Sequence, residues 1–172
     1  MAKLVLVVDH PGEPVSWKAP LFVRRGRRVQ TVSRPDVVAY EKSIAEATAV
    51  AIMQLPDDDN FPFPIDRAVF VDVWFYFTRP KSRKKTDMMN VKPDIDNTVK
   101  AAIDGACDGG MLTNDSRIVD VFIHKRYGQP NPRTVIRVYE LEGEDGKDSH
   151  DDQQDPFAIC DEGCSRWDQG TR

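Results

Sequence analysis

The sequence has few cysteines and no long apolar run. It also has no glycine-rich phosphate loop, which argues against a nucleotide-binding enzyme of that type. Only 3 of its 172 residues are cysteines, an odd and small number that gives no disulfide framework. Cys160 and Cys164 lie near His150, but a fourth ligand for zinc is missing. No apolar run approaches the roughly 18 residues that cross a membrane. The apolar stretch at 3–8 is too short for a secretory signal, so we expect a cytosolic location.

Charge is distributed unevenly along the chain. The net charge is −4, but residues 142–172 hold ten acidic and three basic residues, a net of −7, which leaves +3 for residues 1–141. Such asymmetry suggests that the basic part contacts nucleic acid, although two solvated surfaces would fit equally well. The acidic segment has too little apolar surface to offset the cost of ordering. We therefore predict a folded domain at 1–141 and a disordered acidic tail at 142–172.

Hydrophobic periodicity predicts a chain of mixed strands and helices. Apolar residues at spacings of three and four predict one long helix, and unbroken β-branched and aromatic residues predict a central strand. The inner face of a second, shorter helix is predicted at Val99, Ile103 and Ala106. In chain order the predicted elements are a strand at 3–9, a hairpin at Leu21–Val32, a helix at Asp36–Gln54, a strand at Ala68–Phe77, a helix at Asn97–Ala106 and strands at Ile118–Tyr127 and Thr134–Leu141.

Basic residues concentrate in two segments that cannot belong to the core. Four arginines occupy the tip of the predicted hairpin around Gly26, and a basic loop at 78–91 precedes the second helix. These side chains either bind phosphate or keep the surface soluble. The residues predicted to contact DNA are Arg24, Arg25, Arg27, Arg28, Arg83, Lys84, Lys85 and Lys92.

Two aspartates at the start of the second helix, Asp94 and Asp96, are the strongest candidates for chemistry. Residues two apart do not share a helix face, but they can converge where an extended segment enters a helix. Two adjacent carboxylates repel unless a cation or a proton separates them. Oxygen ligands without nearby His or Cys favour Mg²⁺ or Mn²⁺. The alternative is that Asp94 is only a helix cap and that Lys100 is an ordinary i,i+4 partner of Asp96.

Three segments of the chain together resemble the RusA family of Holliday junction resolvases: Lys92–Lys100, Ala102–Asp104 and Asn114–Val119. The family pattern is Asp-x-Asp-Asn-x-x-Lys, then an apolar-Asp helix, then an Asp-Asp site about twenty residues on. The chain departs from this pattern at Asn114, which stands where the family commonly has an aspartate. The resemblance spans roughly residues 4–140.

The resemblance implies an α+β fold, with a small mixed sheet, two main helices packed on it and a homodimeric assembly. It also implies a Mg²⁺-dependent endonuclease that cuts two opposed strands of a four-way DNA junction, in the cytoplasm of a bacterial or phage-infected cell. Asp94, Asp96 and Asp115 would be the catalytic carboxylates that bind the metal, and Lys100 the essential lysine. Two alternatives stay open: a non-catalytic junction-binding protein on the same fold, and a different metal-dependent phosphotransfer enzyme.

Overall fold

The computed structural model describes residues 2–56, 62–82, 86–128 and 131–141. It has the predicted α+β fold, a mixed sheet with two helices packed on it. None of the described helices is long and apolar enough to cross a membrane. The predicted tail at 142–172 lies outside the described residues. The elements are β1 (Ala2–Pro11), β2 (Leu21–Arg25), β3 (Arg28–Val32), α1 (Pro35–Met53), β4 (Val69–Thr78), α2 (Ile95–Asp108), a short 3₁₀ helix (Asp115–Arg117), β5 (Ile118–Gly128) and β6 (Arg133–Leu141).

The main sheet has four strands in the order β1-β6-β4-β5. Strands β4 and β5 run parallel, whereas the other neighbours are antiparallel. Parallel neighbours need a long crossover, and here the crossover contains α2 and the 3₁₀ helix. The residues that carry the family resemblance therefore lie on one connection between two adjacent strands and on the first two residues of β5.

Strand β4 lies between two neighbours, as the unbroken apolar run predicts. Its side chains alternate between two faces. The face under the helices is buried, and the opposite face is only half-buried. On the open face, the Asp72 carboxylate accepts hydrogen bonds from Trp74 Nε1 (2.9 Å) and from Arg137 (3.2 Å). The buried side chains of β4 are Val69, Val71, Val73, Phe75 and Phe77.

Helix α2 buries its small residues most deeply. Of the residues predicted for its inner face, Ala106 is buried and Val99 is partly buried against the core, whereas Ile103 is only half-buried. A Cβ atom on Gly105 would lie 2.6 Å from the backbone oxygen of Glu41 in α1. The two helices approach so closely that only small side chains fit between them. The fully buried positions of α2 are Thr98, Ala101, Ala102, Gly105 and Ala106.

The hairpin of β2 and β3 forms a separate two-stranded sheet, as predicted. Gly26 at its turn has φ of +65°, a conformation that glycine adopts without steric cost. Every side chain described in β2 and β3 is exposed. The predicted DNA-binding arginines Arg24, Arg27 and Arg28 are therefore all accessible to a partner.

Candidate active site

Asp94 is the N-cap residue of α2, but its carboxylate does not accept a hydrogen bond from the helix. Asp94 has extended backbone geometry, with φ −70° and ψ 140°, and its side chain makes no capping hydrogen bond. Its backbone carbonyl instead accepts hydrogen bonds from the Thr98 backbone N–H (3.2 Å) and hydroxyl (2.8 Å). An N-cap aspartate ordinarily accepts a backbone N–H. The Asp94 carboxylate is thus left available for another ligand.

Asp94 and Asp96 line the same open cleft, which has a volume of about 980 Å³. Both side chains are exposed, and within the described ranges neither makes an ion pair. Three basic residues, Lys92, Lys125 and Arg126, line the same cleft. The guanidinium of Arg126 packs over the Trp74 ring, 5.9 Å from its centroid. Two acidic residues beside basic ones around one opening can receive a divalent cation and a phosphate together.

Lys125 fixes the segment that leads into α2. Its ammonium group donates hydrogen bonds to the carbonyl oxygens of Val91 (2.7 Å) and Pro93 (2.6 Å). Sequence reasoning did not select Lys125 as a site residue. One signal was present: Lys125 is two residues from both Ile123 and Tyr127 on β5, so the strand period places its charge on the same, helix-facing side as these two apolar residues.

Lys100 lies beside an aromatic ring rather than in the cleft. Its Nζ atom is 4.9 Å from the centroid of the Trp17 ring, within the range of a cation–π contact. The backbone N–H of Trp17 donates to the carbonyl of Asn97 (2.8 Å), which ties the loop after β1 to the first turn of α2. No ion pair between Lys100 and Asp96 occurs in the part of the chain that the structure describes.

Asp115 stands at the start of the 3₁₀ helix and faces the middle of α2. Burial raises the pKa of Asp104; Lys100 opposes the rise, and the charges of Asp115 and Asp108 add to it. These influences place Lys100, Asp104 and Asp115 within electrostatic range of one another. Asp104 is a further acidic neighbour that sequence reasoning did not select as a site residue. Asp115 is exposed and is not among the residues that line the cleft of Asp94 and Asp96.

Asn114 has a structural role at the position where the chain departs from its family pattern. Its side-chain oxygen accepts a hydrogen bond from the backbone N–H of Ser116 (2.9 Å) and caps the 3₁₀ helix. That oxygen therefore already has a donor, and it helps to hold the turn that presents Asp115.

The donor chemistry of the cleft fits a divalent metal. Mg²⁺ is commonly held by one or two carboxylates, with waters and substrate phosphates in its other positions. Asp94 and Asp96 supply such a pair. Over residues 2–56, 62–82, 86–128 and 131–141, no group of three or more His, Cys, Asp or Glu side chains is placed to share one ion. The structure thus brings two of the three predicted carboxylates together.

The remaining predicted DNA contacts divide into three sets. Lys92 lines the cleft. Arg24, Arg27 and Arg28 are exposed on the hairpin of β2 and β3, and the side chain of Arg25 lies outside the described part of the chain. Arg83, Lys84 and Lys85 lie outside the described residues.

The family model described as Endodeoxyribonuclease RusA matches residues 11–139. The matched segment includes the hairpin, both helices, the cleft and the 3₁₀ helix. The chain therefore belongs to the RusA family of endodeoxyribonucleases. The family acts on branched DNA, and its nucleases are generally dependent on a divalent metal. A comparison with individual curated proteins found no match.

Proposed function

We propose that this chain is a Mg²⁺-dependent endonuclease that resolves four-way DNA junctions by paired, symmetric nicks in recombination and repair. The observation that carries the proposal is the cleft in which the carboxylates of Asp94 and Asp96 lie beside Lys92, Lys125 and Arg126. Structural aspartates are ordinarily paired or capping, and among the described residues these two are neither. Membership in a nuclease family supports a phosphodiester bond as the target.

The residues of the cleft divide the proposed work between them. Asp94 and Asp96 would hold the metal, and we propose Asp115 as a third carboxylate of the same site. A bound Mg²⁺ ion supplies Lewis-acid polarisation of the phosphate and a more acidic water. Lys92 and Arg126 attract the DNA backbone without reading its sequence. Lys125 holds Pro93 and so positions the two aspartates.

Lys100 is proposed to offset negative charge on the phosphate as it is cut. Its ammonium group packs over the ring of Trp17, which restricts where the charge can lie. A reorientation from Trp17 towards the phosphate would bring this charge into the reaction. The contact with Trp17 therefore makes that aromatic residue part of the proposed site.

A homodimer is proposed because the substrate has two equivalent strands to cut. A four-way junction has twofold symmetry, and a twofold dimer would present two identical clefts to two opposed strands. The proposal places the protein in the cytoplasm, where its DNA substrate arises.

One specific observation favours the alternative of a non-catalytic junction-binding protein on the same fold. Asp115 is not among the residues that line the cleft of Asp94 and Asp96. A binding protein would retain the basic surfaces and would not need a third carboxylate.

An assay on a synthetic four-way junction separates the two functions. The wild-type protein is incubated with the junction and MgCl₂, and the cut sites are mapped on all four strands. A linear duplex of the same sequence and a reaction with EDTA are the controls. Paired symmetric nicks that require Mg²⁺ support the proposal. Tight binding without cutting supports the function of a junction-binding protein. Equal binding and cutting of the junction and the linear duplex would contradict both functions.

A further inference from the structure

One face of the β2–β3 hairpin presents apolar side chains to solvent. Residues paired across antiparallel strands point to the same side. Phe22 pairs with Thr31, and Arg24 with Val29, so these four side chains share one face. Phe22 is 79% exposed and Val29 is 67% exposed. Burial of a phenylalanine is strongly favourable, so the fold leaves an unused binding surface here.

The opposite face of the hairpin is less exposed. It carries Leu21, Val23 and Val32, which are between 37% and 40% exposed. The face of Phe22 is therefore the outward one. An isolated two-stranded hairpin is marginally stable in water, so a partner that covers the outward face would also stabilise the ribbon.

The charge of this segment identifies the kind of partner. Residues 19–35 contain five arginines and no acidic residue, although the whole chain has a net charge of −4. Arg24 lies on the same face as Phe22, and Arg27 lies in the turn, whereas Arg28 follows the turn on the opposite face. A second copy of the chain, docked symmetrically on this face, would bring arginine against arginine. A polyanion with flat apolar surfaces complements both the positive charge of the arginines and the exposed apolar side chains.

We propose that the outward face of the hairpin docks on DNA at the branch point, where Phe22 stacks against a base. Arg24 on that face and Arg27 in the turn bind the flanking phosphates. Apolar wedges between base steps are a recurrent means of binding distorted DNA, and aromatic stacking tolerates any base. The inference rests on the proposed function, since it takes branched DNA as the substrate. It adds a recognition element that is separate from the cleft.

The test measures binding in EDTA, so that cutting does not enter the result. The junction carries 2-aminopurine at the branch point, where stacking or unstacking changes its fluorescence. The wild-type protein should change the fluorescence on binding. Phe22→Ala should lose that change and bind the junction about tenfold more weakly, while its affinity for linear duplex stays within about twofold.

Two further variants are matched controls. Gln30→Ala alters a side chain on the opposite face of the hairpin, across from Val23, and should bind as the wild type does. Phe22→Trp keeps a stacking ring and should keep the fluorescence change. Since Phe22 is exposed, Phe22→Ala should unfold at the wild-type temperature, which excludes a folding defect.

The inference is overturned if Phe22→Ala binds the labelled junction with wild-type affinity and the full fluorescence change. It is also overturned if the wild type is a dimer and the Phe22→Ala variant is a monomer in size-exclusion chromatography with light scattering. The partner of the outward face would then be a second copy of the chain. In either case junction cutting by the wild type would leave the proposed function intact. A wild-type protein that neither prefers nor cuts the junction contradicts both proposals.

Discussion

Lys125 Nζ donates a hydrogen bond of 2.6 Å to the carbonyl oxygen of Pro93, the residue immediately before Asp94. The same ammonium group also binds the carbonyl of Val91. A side chain on β5 thus holds the backbone that enters α2 and sets where the two aspartates of the cleft lie. Small displacements of reacting groups cost large factors in rate.

Lys125→Met should lower the rate of junction cutting more than it lowers junction binding. The methionine keeps the length of the side chain but removes both hydrogen bonds, so Asp94 loses its positional restraint. We expect the cutting rate at saturating enzyme to fall about ten- to a hundredfold. Single-turnover cleavage and binding in EDTA measure the two effects separately.

Lys42, exposed on α1, provides the control for that variant, because Lys42→Met removes an equal charge far from the cleft. Lys125→Arg keeps the donors and should restore part of the rate. If Lys125→Met weakens binding alone and cuts normally at saturation, Lys125 is a phosphate contact and does not position Asp94.

Gly105→Ala should destabilise the fold, although alanine is the better helix former. Alanine gains about 1 kcal/mol over glycine in a helix interior. The new Cβ would lie 2.6 Å from the backbone oxygen of Glu41, and a backbone atom cannot rotate away. Overpacking typically costs about 1–3 kcal/mol, so we expect a net loss of about 1 kcal/mol in the free energy of unfolding. Urea denaturation measures it, with the exposed Asp108→Ala as a control on the same helix; a gain in stability for Gly105→Ala would contradict the close packing.

His10 should make stability fall as the pH drops through its titration range. Burial lowers the pKa of His10 below its usual value, and the nearby charge of Asp9 opposes this. The ring packs edge-on to Tyr40, with centroids 5.7 Å apart. Because the folded state disfavours the imidazolium, the unfolded state binds the proton first as the pH falls through about 6.5, and stability is lost there.

His10→Phe keeps an aromatic edge against Tyr40 and removes the titration. We expect this variant to lose less stability than the wild type between pH 7.5 and pH 5.5, by a few tenths of a kcal/mol, since His10 is only half-buried. Urea unfolding of both proteins at the two pH values measures the difference. If both proteins lose the same free energy of unfolding between the two pH values, His10 does not contribute to the loss of stability in acid.

The sequence predicts the architecture well because its periodic signals are local. The apolar residues alternate along β4 and recur every three or four residues along α1. Both patterns depend only on which side of the element faces the core. Gly26 marks the hairpin turn for the same local reason. The inner face of α2 is different, since the distance between α1 and α2 decides that Gly105 is fully buried while Ile103 is not, and that distance is a tertiary property.

The candidate site could be predicted in part for a similar reason. Asp94 and Asp96 are neighbours in the chain, so their convergence follows from one helix start. The hydrogen bonds of Lys125 join β5 to a segment more than thirty residues earlier, and no local pattern encodes such a pairing. Asp115 reaches α2 through a separate turn, so its position depends on how the crossover packs.

The role of Asp94 and Asp96 as a metal-binding pair is best tested by measuring how fast Asp96→Asn cuts a four-way junction. The substitution removes one charge and one metal-binding oxygen from the cleft while keeping the shape of the side chain. Asp108→Asn makes the same change on the same helix outside the cleft and is the control. We expect Asp96→Asn to cut more than about a hundredfold slower and to bind the junction as tightly as the wild type or more tightly, while the control cuts normally. Cutting by Asp96→Asn at the wild-type rate would show that Asp96 does not hold a metal needed for cutting.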